Sequence, residues 1–490
     1  MADPQNLIAV LGLVGMVIIG GALLAGPAER NGLPALAIFL LLGLLIGPFG
    51  LDLFTVTLED PLLRVVATIS LTLVLFTDAM TLDLSEVRRN KLLAALILGP
   101  GTLLAACGMA AAAWGLLGLS PVAAIIIGAA VASTDPVVLR GMLQGSGIND
   151  RLRLALRLES GMNDVLLLPI VVIALAFGAA GASPNAGDIG RLLISLFLLG
   201  PLAGVVVGVT SVRLLIAIRN RFGVRREYES LYVIGVALGA FAAAEALGGS
   251  GFLAAFAAGL VISSLDVELC DCFLEYGQVT AEMALLFTYV LLGVGPIWSG
   301  LSMITPASIG FAAIVLLLRL PIFMAALAPL GLSIRERIML GWYGPRGLGS
   351  LLLALLAVFA GMAEGEQLVA LTSLAVLISV AIQGGWPLIR RTKPKRLPPT
   401  PEPLPPASHQ TLIPLEPLTP QEPDRINIDQ IHLHKSRGEQ VVIVDVRSER
   451  NFRASPQIAT GALRATPDQA VAVVRAAGVP ADAWVVSYCT

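Results

Sequence analysis

Runs of apolar residues long enough to cross a lipid bilayer follow one another from Asn6 to about Leu388. Short charged or glycine- and proline-rich breaks divide them into about thirteen segments, each near the roughly 20 residues that a spanning helix needs. The predicted helices centre near Val14, Leu41, Leu71, Leu104, Ala129, Val165, Val205, Leu238, Ala257, Leu286, Leu316, Leu351 and Val376. Only 13% of the residues are charged, about half the share of an ordinary soluble domain. The sequence therefore predicts an all-α polytopic membrane protein.

Basic residues alternate between successive loops of this predicted membrane domain. The basic loops are Arg88–Lys91, Arg151–Arg153, Arg219–Arg226, Arg335–Arg337 and Arg390–Arg396. Loops rich in lysine and arginine face the cytoplasm, which leaves the neutral and acidic loops outside. One acidic loop, Asp266 to Glu275, falls on the cytoplasmic side, but acidic residues carry little weight in this rule. With an odd number of helices, we expect the N-terminus outside and the C-terminus in the cytoplasm.

Polar side chains interrupt the predicted helix that contains Leu154–Pro169. Glu159 lies one turn from Asn163, and Ser160 lies one turn from Asp164, so two neighbouring faces of one helix carry oxygen-rich groups. An ionisable residue inside a membrane helix is costly to bury and by default indicates function. A structural salt bridge between helices is the alternative interpretation. We interpret this stretch as part of an ion site.

Two predicted helices contain breaks at membrane depth. In the first, Asp135 precedes Pro136, and a proline there removes a backbone donor from the helix. In the second, Gly341–Ser350 reads GWYGPRGLGS and surrounds a single cation, Arg346. Irregular backbone at this depth is tolerated where it lines a cavity or is buried in protein. A plain proline kink is the alternative for the first break, but the adjacent carboxylate favours a binding site.

The breaks and the carboxylates lie at matching depths. Counted from the cytoplasmic ends of their helices, Asp135 and Asp164 are roughly 10 to 12 Å deep and Arg346 is roughly 13 Å deep. The broken helices are the fifth and the twelfth in order, so they cross the membrane in opposite directions, which is typical of inverted repeats with a site near the midplane. We therefore expect the two carboxylates to meet, with Arg346 as the counter-charge of Glu159.

Other features of the sequence exclude several function classes. The net charge of -2 and the lack of a basic cluster with interleaved aromatic residues argue against nucleic acid. No phosphate-cradling glycine loop with its lysine is present, which argues against ATP-driven transport. The spacing of Cys270 and Cys272 is too tight for the usual metal-binding pair. Other charges lie within or near predicted helices, and for them structural pairing is at least as well supported as a role in the site: Asp78, Glu245, Glu282 and Arg319.

Four stretches together carry a family resemblance: LFTDAMTLDLSEVRR, ASTDPVV, LESGMNDV and GPRGLGSLLLAL. With them, residues 6–390 resemble the bacterial sodium/proton exchangers of the monovalent cation:proton antiporter superfamily. The resemblance implies a homodimer surrounded by lipid in the cytoplasmic membrane. Each chain would have a dimerisation domain and a mobile core, in which two broken helices cross at the ion site. The implied activity is antiport of Na+ for protons by alternating access, with Li+ or K+ as alternative ions.

The resemblance also implies roles for single residues. Asp164 would bind the Na+ or the proton. The other residues lining the ion site would be Thr134, Asp135 and Ser160. The residues stabilising the core would be Glu159, Asn163 and Arg346. Asparagine at position 163 resembles the electroneutral branch, which exchanges one sodium for one proton, and no cofactor is implied beyond the transported ions. A cation channel is an alternative function, since broken helices also build pores, but buried carboxylates that bind protons favour an exchanger.

Composition separates the membrane domain from a C-terminal tail. Residues 391–424 are polar and proline-rich and indicate an extended linker. We expect the transmembrane domain at 1–390 and a small α/β domain at 425–490. Within this domain, Gln440–Val446 and Ala483–Tyr488 read as buried parallel strands, with a helix over Pro467–Ala477 between them.

The tail resembles a rhodanese-like domain in its segments VVIVDVRSERNF and WVVSYC. Cys489 matches the nucleophile of that family, so a sulfurtransferase or a redox-sensing membrane protein is the second function class. The family's loop of backbone amides after the cysteine is represented only by Thr490, and we expect an incomplete domain without sulfurtransferase activity. One hypothesis is that the reading frame stops at a UGA codon that is recoded elsewhere as selenocysteine. The ligand or partner of the tail stays open.

Overall fold

Helices make up most of the described residues of the membrane part of the protein. The computed structural model describes residues 12, 14–21, 23, 35–82, 84–135, 150–179, 186–222, 226–265, 271–384, 431, 434–447, 452, 458–459, 461–465, 470–480 and 483–488. The chain divides into a membrane unit, Met1–Lys395, and a tail unit, Arg396–Thr490. The predicted linker, 391–424, lies outside the described residues.

The α-helices of the membrane unit are α1 (Ala35–Ile46), α2 (Pro61–Thr81), α3 (Leu84–Arg89), α4 (Lys91–Leu96), α5 (Leu104–Leu117), α6 (Pro121–Ala132), α7 (Asp150–Ala179), α8 (Ala186–Ile194), α9 (Gly200–Phe222), α10 (Arg226–Ala246), α11 (Gly251–Ser264), α12 (Asp271–Val294), α13 (Ser299–Ser302), α14 (Pro306–Leu317), α15 (Arg319–Ala326), α16 (Ile334–Trp342), α17 (Leu348–Phe359) and α18 (Gly365–Ser379). Wider helical turns continue some of them at Ile97–Leu103, Ser195–Leu199 and Val380–Gly384, and short 3-10 turns lie at Pro296–Trp298 and Ala328–Leu330. Residues 14–21 are also helical. Every helix centre predicted from the apolar runs lies in a helical residue.

Seven helical spans among the described residues are long and apolar enough to cross a membrane. They are 61–81, 91–117, 152–178, 195–219, 276–294, 306–326 and 365–383. Five further apolar helices have 10–17 residues, and two of these, α6 and α17, are short because the chain leaves the helix beside the breaks predicted above. Lipid offers the backbone no hydrogen-bond partners, so a chain this apolar must satisfy its amides within helices.

The helices of the membrane unit pack into two groups. The scaffold bundle contains α1, α2 and α9–α12, and the crossing bundle contains α5–α7 and α14–α18. Within the scaffold bundle α1 lies against α12 at backbone contact, because Cβ atoms added at Gly43 and Gly47 would come 2.3 and 2.2 Å from the carbonyl oxygens of Val290 and Val294. Small residues permit this approach in membrane helices and fix the two helices to each other.

The tail unit contains a parallel sheet in the strand order β2-β1-β3. Its strands are β1 (Val441–Asp445), β2 (Leu463–Arg464) and β3 (Trp484–Tyr488), and one helix, α19 (Ala470–Ala476), precedes β3. Pairing runs from Val441 opposite Trp484 to Asp445 opposite Tyr488. Both predicted strands, their parallel pairing and the intervening helix are thereby confirmed. The candidate nucleophile Cys489 lies outside the described residues.

Candidate functional site

The end of α6 meets the non-helical segment Tyr343–Gly347, which separates α16 from α17. Helix α6 ends at Ala132, and Ser133 turns out of the helix with φ -59° and ψ 139°. The N–H of Asp135 then donates to the carbonyl oxygen of Pro345 over 3.0 Å. Both predicted breaks therefore leave the helix where expected and contact each other. The residues that follow Asp135, including Pro136, lie outside the described part of the chain.

Asp135 faces the first turn of α17. Its Oδ2 accepts a hydrogen bond from the Leu348 N–H at 2.9 Å and another from the Tyr289 hydroxyl at 2.7 Å. A Cβ added at Gly347 would lie 2.0 Å from the same oxygen, so only glycine allows this approach. Unpaired N–H groups and the helix dipole at a helix N-terminus favour an anion, and Asp135 provides it for α17.

Asp164 reaches the same junction from α7. Its Oδ1 accepts a hydrogen bond from the Ser133 hydroxyl at 2.6 Å. Its Oδ2 would lie 3.5 Å from a Cβ added at Gly349, in the first turn of α17. Only 9% of the surface of Asp164 and 3% of that of Asp135 is exposed. The structure therefore brings the two predicted carboxylates together around the start of α17, where water has little access.

The polar neighbours of Asp164 on α7 lie in the same buried region. Asn163 is fully buried, and its Nδ2 donates to Thr134 Oγ1 at 2.8 Å. Its Oδ1 has no hydrogen-bond partner among the described residues. The Ser160 hydroxyl, also buried, donates over a long 3.4 Å to the Arg157 carbonyl oxygen. Thr134, Ser160 and Asn163 thus contribute buried oxygens of the kind that a hard cation accepts as ligands.

Glu159 forms a buried ion pair with Arg319, and not with Arg346 as we predicted. Both terminal nitrogens of Arg319 donate to the two carboxylate oxygens of Glu159, and each side chain is 3% exposed. Arg319 also donates to the Leu340 carbonyl oxygen at 2.9 Å and lies 4.2 Å from the centre of the Phe323 ring. The bidentate geometry explains why this arginine takes the carboxylate. The pairing prediction was wrong because two buried arginines were available and spacing along the chain does not distinguish them.

Arg346 instead stabilises the buried C-terminal end of α6. Its NH1 donates to the carbonyl oxygens of Ala132 at 2.8 Å and Ser133 at 3.2 Å, and its backbone N–H donates to the Ser379 hydroxyl at 2.9 Å. The last carbonyls of a helix carry partial negative charge and have no partner inside the helix. The arginine of one broken segment thus caps the helix end at the other break.

Sequence reasoning missed three contacts of the site. Ser133 lies inside the quoted ASTDPVV motif but was not selected, although its hydroxyl holds Asp164. For Arg319 the sequence supports structural pairing but does not identify Glu159 as its partner. Tyr289 is not among the predicted site residues, and its signal in the sequence is weak, because a tyrosine within an apolar run is commonly a packing residue whose hydroxyl partner the sequence does not identify.

Comparison with known proteins gives a consistent result. A profile described as "Sodium/hydrogen exchanger, transmembrane" matches residues 16–387. A relative, the K(+)/H(+) antiporter NhaP of Alkalimonas amylolytica, is 25% identical over 389 residues, which are 77% of this chain and 65% of that protein. NhaP2 of Shewanella sp. strain MR-4, a K(+)/H(+) antiporter, is 26% identical over 414 residues, 80% of this chain and 68% of that protein. The chain thus spans about two thirds of the length of these relatives.

A solved structure shares the fold. The sodium proton antiporter MjNhaP1 from Methanocaldococcus jannaschii at pH 8 superposes with a TM-score of 0.64 and 23% identity, covering 79% of this chain and 98% of that one. The fold is therefore a mostly helical polytopic membrane fold of this kind. Since the family profile covers most of the chain, the protein belongs to the transmembrane sodium/hydrogen exchanger family, a family of cation/proton antiporters and not of enzymes.

Proposed function

We propose that this protein exchanges Na+ or K+ for protons across the cytoplasmic membrane, with Asp164 as the carboxylate that binds either ion. The observation that carries the proposal is the position of Asp164, buried at the junction of two broken segments and held through one oxygen by Ser133. A carboxylate removed from water favours a bound proton, and a cation that supplies positive charge favours the ionised form. Proton and cation therefore compete for one group.

Competition for one carboxylate produces exchange when the site can move between the two sides of the membrane only with a proton or a cation bound. A bare carboxylate crossing in an apolar environment would carry an uncompensated charge, which is costly. With a proton or a monovalent cation bound, the charge is neutralised and crossing is less costly. One proton moved in one direction would then return one cation in the other, which is the electroneutral stoichiometry that asparagine at position 163 implies.

The proposed cation ligands are oxygens around Asp164. Candidates are the carboxylate itself, the Ser160 and Thr134 hydroxyls and the carboxylate of Asp135. The Oδ1 of Asn163, which has no hydrogen-bond partner within the described part of the chain, supports an oxygen-rich environment. The relatives support both ions, since two are K(+)/H(+) antiporters and the structural neighbour is a sodium proton antiporter.

Proton flux in proteoliposomes tests this proposal. Addition of NaCl, KCl or LiCl to liposomes with a preformed pH gradient should dissipate the gradient, and the concentration dependence ranks the three ions. Asp164→Asn should abolish the response while the protein still inserts. Asp60→Asn is a matched control, because Asp60 caps the start of α2 away from the site and an asparagine keeps its capping oxygen. Flux through Asp164→Asn equal to that of the parent would refute the assignment.

A cation channel is the second candidate, favoured by the broken backbone. A channel would carry a cation current set by the membrane potential without moving protons. Electroneutral exchange would be insensitive to an imposed potential. Cation flux without a pH change in the same liposomes would replace the exchanger by the channel.

We propose that the chain forms a homodimer with its N-terminus outside and its C-terminus in the cytoplasm. The alternation of basic loops supports this orientation. Cross-linking in membranes and protease protection of a C-terminal tag on intact cells test the two statements separately. A monomer at all protein concentrations, or a tag cleaved from outside, would contradict them.

The tail is proposed to be rhodanese-like and without sulfurtransferase activity. Support comes from the parallel order β2-β1-β3 and from the Asp445-X-Arg447 turn, in which Arg447 Nε and NH2 donate to the Asp445 carboxylate at 2.9 and 2.7 Å. A thiolate or persulfide at Cys489 would need several backbone N–H donors around it. Turnover of thiosulfate by the purified protein would overturn this proposal, and Cys489→Ser is the control.

A further inference from the structure

Tyr289 makes a contact that leaves its own helix bundle. It lies on α12, which packs against α1, α2 and α10 in the scaffold bundle. Its hydroxyl nevertheless donates to Asp135 Oδ2 at 2.7 Å and accepts from the Leu348 N–H at 3.2 Å. Both partners belong to the junction of the crossing bundle, and Tyr289 is 1% exposed.

The neighbouring hydroxyl on α12 behaves differently. Thr288 Oγ1 shares a 2.8 Å hydrogen bond with Ser70 Oγ and donates to the Ala284 carbonyl oxygen at 3.0 Å, so its contacts stay within the scaffold bundle. Backbone contact with Gly43 and Gly47 also fixes the end of α12 to α1. The position of Tyr289 is thus set by the scaffold bundle, and its hydroxyl reaches across to the ion site.

The far end of α17 is held from the scaffold bundle as well. Arg64 on α2 donates from NH2 to the Phe359 carbonyl oxygen at 3.0 Å, and its guanidinium lies 5.4 Å from the centre of that ring. Between the two ends, Leu71 of α2 lines a narrow apolar seam with Leu352 of α17. The Arg64 contact is exposed and worth little, whereas the Tyr289 contact is buried and made to a carboxylate, which strengthens it.

We propose that Tyr289 is a positioning residue of the exchanger, whose hydroxyl ties Asp135 and the start of α17 to the scaffold bundle in this conformation. This hydrogen bond must break whenever the ion site moves relative to the scaffold bundle. Its strength therefore contributes to the free-energy difference between this conformation and the one in which the site has moved. This inference rests on the proposed exchange, because only a site that changes sides requires such a release.

The seam provides a readout that does not depend on transport. Thr68 lines the seam and is half-buried, so a Thr68→Cys thiol in a background with the four native cysteines replaced by serine should react slowly with a water-soluble maleimide. Tyr289→Phe removes the tie and keeps the ring. Loss of the hydrogen bond should raise the labelling rate about tenfold, which corresponds to about 1.4 kcal/mol. Tyr232→Phe is the matched control, because the Tyr232 hydroxyl donates to the Ser211 carbonyl oxygen at 3.1 Å within the scaffold bundle.

Transport kinetics give the second readout. Because the lost hydrogen bond stabilises the starting conformation, Tyr289→Phe should raise both the apparent KM for the cation and the turnover rate, as expected when ground-state stabilisation is removed. A residue that only supports folding would lower turnover together with thermal stability. Tyr289→Leu, which also lacks the hydroxyl, serves as the second variant if the phenylalanine variant folds poorly.

Labelling of Tyr289→Phe within about twofold of the parent, with unchanged KM and turnover, would overturn the inference, since about twofold is only about 0.4 kcal/mol. If the parent exchanges ions but labelling does not respond, the role of Tyr289 falls and the proposed function stands. If the labelling rate of Tyr289→Phe rises but the parent protein moves no protons, the proposed function is refuted, whereas the hydrogen-bonded connection between the bundles is supported.

Discussion

Replacing Arg319 by methionine should destabilise the membrane unit by about 3–5 kcal/mol, because it leaves the buried carboxylate of Glu159 without its partner. Both terminal nitrogens of Arg319 bind that carboxylate, and each side chain is 3% exposed. Glu159→Leu should lower the free energy of unfolding by somewhat less. Arg319 would still contact the Leu340 carbonyl oxygen at 2.9 Å and the Phe323 ring at 4.2 Å. Removing both partners should cost far less than the sum, since apolar replacements for a buried pair are often close to neutral.

The free energy of unfolding of the four proteins in detergent, obtained from denaturant titrations, gives the coupling energy of the pair. We expect a coupling of about 3 kcal/mol or more. The cycle of Glu159→Leu with Arg346→Met is the comparison, because Arg346 binds carbonyl oxygens at the end of α6 and shares no hydrogen bond with Glu159. Its coupling should be clearly smaller than that of Glu159 with Arg319. Losses of Glu159 and Arg319 that add within about 0.5 kcal/mol would refute the pairing.

Three further changes probe other parts of the protein. Asp135→Asn should slow cation-driven proton flux severely, because it removes the anion at the start of α17, and a normal rate and affinity would reduce Asp135 to a structural role. Gly347→Ala should lower the stability by about 1–3 kcal/mol in thermal unfolding, since its Cβ would lie 2.0 Å from Asp135 Oδ2, whereas Gly310→Ala, with nothing within 4 Å, should not. In the tail, the hydrogen bond from Arg447 lowers the pKa of Asp445 to about 2, below the roughly 3.9 of an unfolded chain. The stabilisation of the folded tail by ionised Asp445 is thus complete above about pH 4 and is lost as the pH falls through about 2. Asp445→Asn should therefore speed hydrogen exchange in β1 at neutral pH. Unchanged exchange would contradict this.

The helices of the membrane unit were predictable because lipid offers no hydrogen-bond partners to the backbone, which must then bond to itself. Apolar runs of spanning length must become helices, and Pro345 with its neighbouring glycines marks the second break because such residues interrupt regular hydrogen bonding. Depth counting along each helix also brought Asp135 and Asp164 to one level. These are local properties, which a sequence contains directly.

Contacts across the bundle were not predictable to the same degree. Which arginine reaches Glu159 depends on how α7, α15 and α16 pack, and the spacing of Arg319 and Arg346 along the chain contains no such information. The hydroxyl of Tyr289 lies at the far end of a long side chain, so its partner depends on which helix packs against α12. In the tail, by contrast, the two β-branched runs that flank a helix were sufficient to predict the parallel pairing of β1 with β3.

Proton release on cation binding tests the central claim most directly, because it observes the competition at Asp164 without a membrane. Purified protein in weakly buffered detergent solution, below the pH at which the site is fully ionised, receives NaCl or KCl, and a pH indicator records the protons set free. Choline chloride at the same ionic strength is the control. We predict release of up to about one proton per chain, saturating with cation concentration, since one carboxylate exchanges one proton for one cation. Asp164→Asn should release none, and an undiminished release from that variant, or no release from the parent at any pH, would contradict the proposed mechanism.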